Sequence, residues 1–172
     1  MYDFLKDLPD LYTRPVPMIN QRYLRRFITS NFGTIDTSRG CPFYCSFCSI
    51  INVQGRKMRH RSPESLAAVL RENYRRYGIN FYFFTDDNFA RNPAWREVFA
   101  MLERLRNNDK VPLQFMIQVD TQSHKIQDFV SMASRAGCTQ VFIGMESINP
   151  KNLKAGSQNH FFRFQFLLGK SF

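Results

Sequence analysis

The sequence predicts an α/β fold in which parallel strands form part of a TIM-type barrel, with about four βα units. Two observations support this prediction. Four strand-like runs alternate with three helical patterns, and a polar residue lies near the end of each run. Strands that alternate with helices are joined by right-handed crossovers and lie parallel, either in an open doubly wound sheet or curled as part of a barrel. Both arrangements place functional groups where the strands end.

The strand-like runs are short, rich in aromatic and β-branched residues, and each close near a polar side chain. They are residues 33–38, 80–86, 113–120 and 139–146. Because parallel strands end at one edge of a sheet, the polar residues at their ends are expected to meet there. These residues are Ser38, Asp86, Asp87, Gln118, Asp120, Glu146 and Ser147.

Three helices are predicted between the strands. Ser62 and Pro63 favour the start of the first helix and Gly78 its end, the second begins near Pro93, and the third ends at Gly137. Each carries an apolar stripe at helical spacing, which predicts a face packed on the core. The stripes are Leu66, Val69, Leu70, Tyr74 and Tyr77; Trp95, Val98, Phe99, Leu102 and Leu105; and Ile126, Phe129, Val130, Ala133 and Ala136.

The two ends of the chain do not follow this pattern. Residues 1–32 contain several prolines and show no sustained periodicity, which predicts an extended lead-in segment before a core of residues 33–156. A fourth helix is expected after Pro150. Residues 157–172 are instead crowded with phenylalanine, which is typical of an aggregation-prone segment and indicates a truncated or frame-shifted terminus.

The chain is basic, with 24 Lys and Arg against 14 Asp and Glu among 172 residues, a formal charge of +10. A basic run covers Arg56, Lys57, Arg59, His60 and Arg61. This charge favours phosphates or acidic partners, although solvated helix faces are the preferred explanation, so nucleic acid is not favoured. There is no secretory signal and no apolar stretch of about 20 residues, which indicates a cytoplasmic protein without a membrane span.

Three of the four cysteines, Cys41, Cys45 and Cys48, lie within eight residues. One short loop can wrap these thiolates around an iron–sulfur cluster, and three ligands leave one iron open. Zinc held by the same cysteines and His60 is a weaker alternative, because structural zinc usually stabilises domains without a core. Disulfides are disfavoured by the crowding. Cys138 is expected to be a buried small hydrophobic residue.

The spacing Cys-x3-Cys-x2-Cys, with an aromatic residue before the last cysteine, resembles the signature of the radical S-adenosylmethionine superfamily. Three further segments resemble the branch whose members carry an upstream cobalamin-binding domain: RGCPFYCSFC, GRKMRHRSPE and FFTDDNF. The resemblance covers about residues 33–156. Members of the superfamily continue to about six βα units, so this chain is expected to hold only part of the barrel.

The resemblance implies roles for seven residues. Cys41, Cys45 and Cys48 would hold a [4Fe–4S] cluster whose open iron is chelated by the amino and carboxylate groups of S-adenosylmethionine. Phe47 would pack near the adenine, Asp86 and Asp87 would meet the amino group, and Glu146 would contact the ribose. For these three carboxylates, helix capping or a hydrogen bond at the rim is an equal alternative. No residue is assigned to the chemistry on the substrate.

The resemblance also implies a reaction. An electron from the cluster would cleave the cofactor into methionine and a 5′-deoxyadenosyl radical, in a branch that uses cobalamin for methyl transfer. A low-potential donor such as flavodoxin or ferredoxin would supply the electron. The alternatives are an RNA-modifying methylthiotransferase-like enzyme, a zinc-stabilised nucleic-acid-binding module without catalysis, and an inactive fragment. The basic arginines after the cysteines are expected to offset cluster charge or hold the cofactor carboxylate.

Overall fold

The fold is known from a computed structural model that describes residues 8–17, 31–149 and 151–152. Within these residues, four parallel strands form one sheet, in the order β1 (Phe32–Ile35), β4 (Phe81–Phe84), β5 (Gln114–Asp120) and β6 (Cys138–Gly144). A separate antiparallel pair consists of β2 (Ser38–Arg39) and β3 (Arg59–His60). The predicted α/β class with parallel strands is confirmed. In the described part, β1 and β6 are the outer strands of an open sheet.

Within residues 31–149, four helices connect the strands: α1 (Ile50–Val53), α2 (Pro63–Tyr77), α3 (Trp95–Asn107) and α4 (Phe129–Ala136). The boundaries of α2 follow the predicted signals. The Ser62 hydroxyl accepts a hydrogen bond from the Ser65 N–H at 3.3 Å, and Gly78 ends the helix with a φ of 69°. Short 3-10 turns at Phe89–Arg91 and Ser123–Lys125 follow β4 and β5.

The core lies between the sheet and the helices on it. Phe84 and Phe115, on neighbouring strands, stack with their ring centroids 4.7 Å apart. The α2 and α3 stripes are buried or packed against this core as predicted. The prediction that the third stripe packs on the core is partly wrong, because Val130 is exposed. Asp128 adopts a left-handed φ of 65° immediately before α4, so the first residue of this stripe, Ile126, lies before the helix begins.

The run 33–38 is not one strand, contrary to the prediction. Strand β1 ends at Ile35, and Ser38 begins β2, which pairs with β3 rather than with the parallel sheet. The Arg61 N–H donates to the Thr37 carbonyl at 2.8 Å and closes this small pair. Residues 40–58 therefore form an excursion from the sheet, closed at its base by β2 and β3.

The described part of the lead-in segment, residues 8–17, contains no helix or strand but packs on the body of the protein. Leu11 and Val16 are buried. The buried Arg61 guanidinium donates to the Pro15 carbonyl and forms an ion pair with Asp36, so it anchors this segment to β1. The remainder of the predicted lead-in, most of the helix after Pro150 and the Phe-rich tail lie outside the described residues.

Strand β6 pairs with β5 on one side, and its other edge is open in the described part of the chain. Val141, Phe142 and Ile143 are exposed on it. Cys138, its first residue, is partly buried against the core and donates to the Gln140 carbonyl, and burial raises its thiol pKa to about 11. Among the described residues no helix combines the length and apolar character needed to cross a membrane.

Candidate functional site

A cavity of about 190 Å³ lies at the carboxyl ends of the parallel strands. Three cysteines of the excursion, two residues after β4, and residues at the ends of β5 and β6 line it, which is the edge where sequence analysis expected polar groups. The lining residues are Cys41, Phe43, Cys45, Phe47, Cys48, Asp87, Asn88, Gln118, Val119, Asp120, Phe142, Gly144 and Glu146. Of the seven predicted site residues, only Asp86 is missing from this lining.

The three cysteines are half-buried and close enough to interact electrostatically. Burial raises the pKa of Cys41, and the negative charges of Cys45, Asp87 and Cys48 raise it further, against the lowering effect of the Phe43 N–H. A thiolate that is half-buried beside other negative charges is stabilised by a nearby positive charge, and a bound metal would provide that charge. The loop backbone is fixed by hydrogen bonds from Cys48 N to Cys45 O and from Cys41 N to Gly55 O, both 3.2 Å.

Gly40 allows the chain to enter this loop, and sequence analysis did not identify it. Its φ is 100°, a conformation that disfavours side chains, and a Cβ at this position would lie 2.6 Å from the Lys57 carbonyl oxygen. Only glycine fits this close approach of the two sides of the excursion. A glycine directly before the first cysteine was the available signal.

Asp86 faces inward and is fully buried. Its carboxylate accepts hydrogen bonds from the backbone N–H and the hydroxyl of Thr37, and from the same two groups of Ser38. Burial raises its pKa to about 6, against the lowering effect of these four donors. Asp86 thereby holds the strand that leads into the cysteine loop, a contact of the kind that the alternative interpretation expects.

Asp87, the next residue, faces the cavity. One oxygen, Oδ2, accepts a hydrogen bond from the Gly40 N–H at 2.9 Å. Burial raises its pKa, whereas the Gly40 N–H and the charges of Arg39 and Arg59 act in the opposite direction. The two consecutive carboxylates thus fix the two residues on either side of Arg39, one from inside the fold and one from the cavity.

A polar cluster braces the opposite wall. Arg91 forms a two-pronged ion pair with the buried Asp120, at 2.7 and 2.8 Å, and its guanidinium lies over the Phe43 ring. The Asn88 amide nitrogen donates to Asp120 at 3.0 Å. Burial raises the pKa of Asp120, but the hydrogen bonds from Arg91 and Asn88 outweigh it and the pKa is lowered. From the sequence no role was assigned to Asn88, although it lies within the segment FFTDDNF, and no pattern distinguished Arg91.

Asn88 has one unused group at the cavity. Its amide oxygen is buried and accepts no hydrogen bond from the residues that the structure describes. A buried acceptor without a donor is costly, and it marks a position where a ligand N–H or O–H can bind. Phe47 and Glu146 complete the mouth of the cavity, and both are exposed, Phe47 by 58%.

His60 does not join the cysteines. Its ring packs edge-on against Tyr12 and lines a second cavity with Arg56, Lys57 and Arg59. Among the described residues there is no group of three His, Cys, Asp or Glu side chains arranged around a single ion. His60 lies in a different cavity from the three cysteines, with which the Cys3His alternative would combine it. None of the residues of the basic run lines the cysteine cavity, but the charge of Arg59 acts on Asp87, which does line it. The role of these arginines in offsetting cluster charge stays a prediction.

The positive charge of α2 is largely paired. Arg71 contacts Asp109, and Arg75 and Arg76 both contact Glu72. These ion pairs are exposed, so they describe an ordinary solvated helix face rather than a phosphate-binding surface.

Comparison with known proteins identifies relatives. The family model described as the radical SAM superfamily matches residues 35–165. Hopanoid C-2 methylase of Rhodopseudomonas palustris is 27% identical over 157 residues, which is 90% of this chain and 29% of that protein. Bacteriochlorophyllide d C-12(1)-methyltransferase of Chlorobaculum tepidum is 29% identical over 121 residues, 69% of this chain and 25% of that protein.

Among solved structures, the fold resembles the radical S-adenosylmethionine methyltransferase TsrM of Kitasatospora setae, determined with cobalamin and a [4Fe-4S] cluster bound. The TM-score is 0.67 at 24% identity, over 84% of this chain and 28% of that one. The chain thus spans less than a third of the length of these relatives.

Proposed function

Because the chain belongs to the radical SAM superfamily, we propose that Cys41, Cys45 and Cys48 hold a [4Fe–4S] cluster and that the adjoining cavity holds S-adenosylmethionine. One observation carries the proposal. The three thiols line a single cavity together with polar groups from the ends of β4, β5 and β6. Such an edge of parallel strands is where α/β proteins bind cofactors.

The donor set fits an open-iron cluster. Three thiols face the cavity, and the fourth cysteine, Cys138, is packed against the core and absent from the cavity lining. Three protein ligands leave one iron for a ligand from outside the protein. The unused Asn88 amide oxygen and the Asp87 carboxylate are acceptors suited to the ammonium group of S-adenosylmethionine.

When bound, the cluster and S-adenosylmethionine together supply reductive cleavage of a carbon–sulfur bond, which yields methionine and a 5′-deoxyadenosyl radical. The protein residues position and shield this chemistry. In this proposal Phe47 packs near the adenine and Glu146 contacts the ribose. Asp86, through Thr37 and Ser38, keeps the entry to the cysteine loop in place.

For the overall reaction, we propose methyl transfer to a carbon substrate with cobalamin as the methyl carrier. The support is the set of relatives, which are named as methylases or methyltransferases and include a cobalamin-bound structure. No described residue is assigned to cobalamin or to the carbon substrate. The electron donor is a low-potential redox protein.

The test is anaerobic reconstitution of the full chain followed by iron and sulfide analysis. Cys41→Ala, Cys45→Ala and Cys48→Ala are each expected to lose most of the iron and sulfide, while Cys138→Ala, the matched control, keeps them. Reduction in the presence of S-adenosylmethionine should then yield methionine and 5′-deoxyadenosine. Bound zinc without sulfide, or equal loss in the Cys138→Ala variant, would refute the proposal.

A further inference from the structure

A second cavity, of about 510 Å³, lies on the outer side of the cysteine excursion. The lead-in segment, helix α1 and the loop that leads into β3 build it. Its lining residues are Leu8, Asp10, Ile51, Asn52, Gly55, Arg56, Lys57, Met58, Arg59 and His60. None of them lines the cysteine cavity, so the excursion separates two distinct surfaces. We call this second surface the basic face.

The basic face carries a local excess of positive charge. Arg56, Lys57 and Arg59 are opposed by a single carboxylate, that of Asp10, among the lining residues. Lys57 is exposed, so its ammonium group is accessible to a partner. A surface of one dominant sign attracts a partner of opposite sign and speeds their encounter.

The arginines of the basic face are already engaged within the protein. Arg59 donates to the Pro9 and Gln54 carbonyl oxygens at 3.0 Å, and Arg56 donates to the Phe43 carbonyl at 2.9 Å. Their guanidinium forks therefore do not converge on a common point, as tight chelation of a phosphate requires. Their charge remains and acts over a longer range, which favours the acidic surface of a protein over a small phosphate ligand.

Apolar groups beside the basic face strengthen this choice. The Tyr44 ring is 66% exposed, and the Arg56 guanidinium lies 3.7 Å from its centroid. Val53, in α1, is 64% exposed. Exposed tyrosine and arginine next to apolar side chains are typical of protein–protein interfaces.

The basic face is joined to the cysteine loop by direct hydrogen bonds. The Gly55 carbonyl of its lining accepts the Cys41 N–H at 3.2 Å, and Arg56 reaches the backbone of Phe43, between the first two cysteines. Redox partners dock close to the group that they reduce. The basic face meets this requirement, because Gly55 and Arg56 contact the backbone of the cysteine loop directly.

We propose that the basic face docks the acidic protein that reduces the cluster. This inference rests on the proposed function. In the step, one electron leaves the donor protein, which is oxidised by one unit, and enters the cluster, which is reduced by one unit. No bond forms or breaks, and no proton is transferred.

Docking is tested with an acidic flavodoxin as the probe and with the full chain free of cluster, which keeps this test independent of iron. Lys57→Glu is expected to weaken binding at low salt about tenfold and to reduce its salt dependence. Lys110→Glu is the matched control, with the same charge change before the amino end of β5, and should bind like the wild type.

A second measurement uses the chain with its cluster. Reduced flavodoxin should reduce the Lys57→Glu variant about tenfold more slowly than the wild type, while dithionite reduces both at similar rates. Equal effects of Lys57→Glu and Lys110→Glu would overturn the proposal. Binding of tRNA or inorganic phosphate through Lys57 without binding of flavodoxin would also overturn it. If the cluster-free chain binds flavodoxin through Lys57 but reconstitution incorporates no iron or sulfide, the proposed function is refuted and the docking surface is not.

Discussion

The Gly40 N–H donates to Oδ2 of Asp87 at 2.9 Å, which joins the residue before the first cysteine to the residue that faces the cavity after β4. The cysteine loop and the end of the parallel sheet are thereby linked directly. Because Asp86 holds Thr37 and Ser38 just before this point, the loop enters the cavity from a fixed position.

Gly40→Ala should disrupt the cysteine loop. The new Cβ would meet the Lys57 carbonyl oxygen at 2.6 Å, and the φ of 100° is strained for alanine. We expect a several-fold loss of iron after reconstitution and a destabilisation of about 2 kcal/mol or more. Gly78→Ala is the control, since its φ is 69° but nothing lies within 4 Å. It should lose about 1 kcal/mol and keep its iron, and equal iron loss in both variants would contradict this account.

Asp87→Asn should separate loop support from cofactor binding. Asparagine keeps an oxygen that can accept the Gly40 N–H, but it lacks the charge proposed to attract the ammonium group of S-adenosylmethionine. We expect wild-type iron content with about tenfold weaker binding of S-adenosylmethionine in calorimetric titration. Asp87→Ala should lower both quantities. Unchanged affinity in Asp87→Asn would remove Asp87 from the binding site.

Asp86→Ala should be strongly destabilising, because it leaves two backbone N–H groups and two hydroxyls of Thr37 and Ser38 without their acceptor. A loss of about 3 kcal/mol in the free energy of unfolding is expected. Asp86→Asn keeps an oxygen for the N–H groups and should cost less. Urea unfolding at a fixed pH compares the two variants, and a loss well below this value in Asp86→Ala would show that the hydrogen bonds matter little.

The same carboxyl should make stability depend on pH. Its pKa is about 6 in the folded protein against an ordinary 3.8, so the folded state binds the proton more tightly. The contribution of Asp86 is then fully present below about pH 4 and is lost as the pH rises through about 6. We expect the free energy of unfolding to fall over this interval relative to that of Asp86→Asn. A free energy of unfolding that rises with pH over this interval would show that the four donors lower the pKa of Asp86 by more than burial raises it.

The Arg91–Asp120 pair should contribute more than a surface ion pair. Asp120 is buried, so Arg91→Ala leaves an unpaired carboxylate and should raise its pKa. A double-mutant cycle is expected to give a coupling energy of about 1.5 kcal/mol or more for this pair. The exposed pair Arg135–Glu103, 3.2 Å apart, should give about 0.5 kcal/mol or less. Equal coupling energies would contradict the proposed bracing role.

The sequence was sufficient for features that depend on local patterns. The boundaries of α2 follow from Ser62, Pro63 and Gly78, because capping and the left-handed φ are properties of a few adjacent residues. The cysteine loop was located for the same reason. Strand β2 was missed since two-residue strands carry no periodicity, and its pairing with Arg59–His60 depends on contacts 20 or more residues away.

Other features of the site depend on tertiary contacts. Asp86 and Asp87 have the same chemistry and adjacent positions, so no pattern could tell which faces the cavity; strand direction and the position of Thr37 decide it. Asn88 and Arg91 become significant only because Asp120, about 30 residues later, lies beside them. The side of the excursion on which the basic run lies could not be known from the sequence, because it depends on how residues 40–58 fold back on the lead-in segment.

The contacts of Asp86 also have a consequence for the order of assembly. They join segments 48 and 49 residues apart, between which the whole cysteine excursion and α2 are contained. Closing such a segment is entropically costly and is repaid by the pairing of β1 with β4 and the core beneath it, without any contribution from the cysteines. The polypeptide should consequently fold first and receive its iron afterwards, so that removal of the metal leaves a scaffold ready to be loaded again.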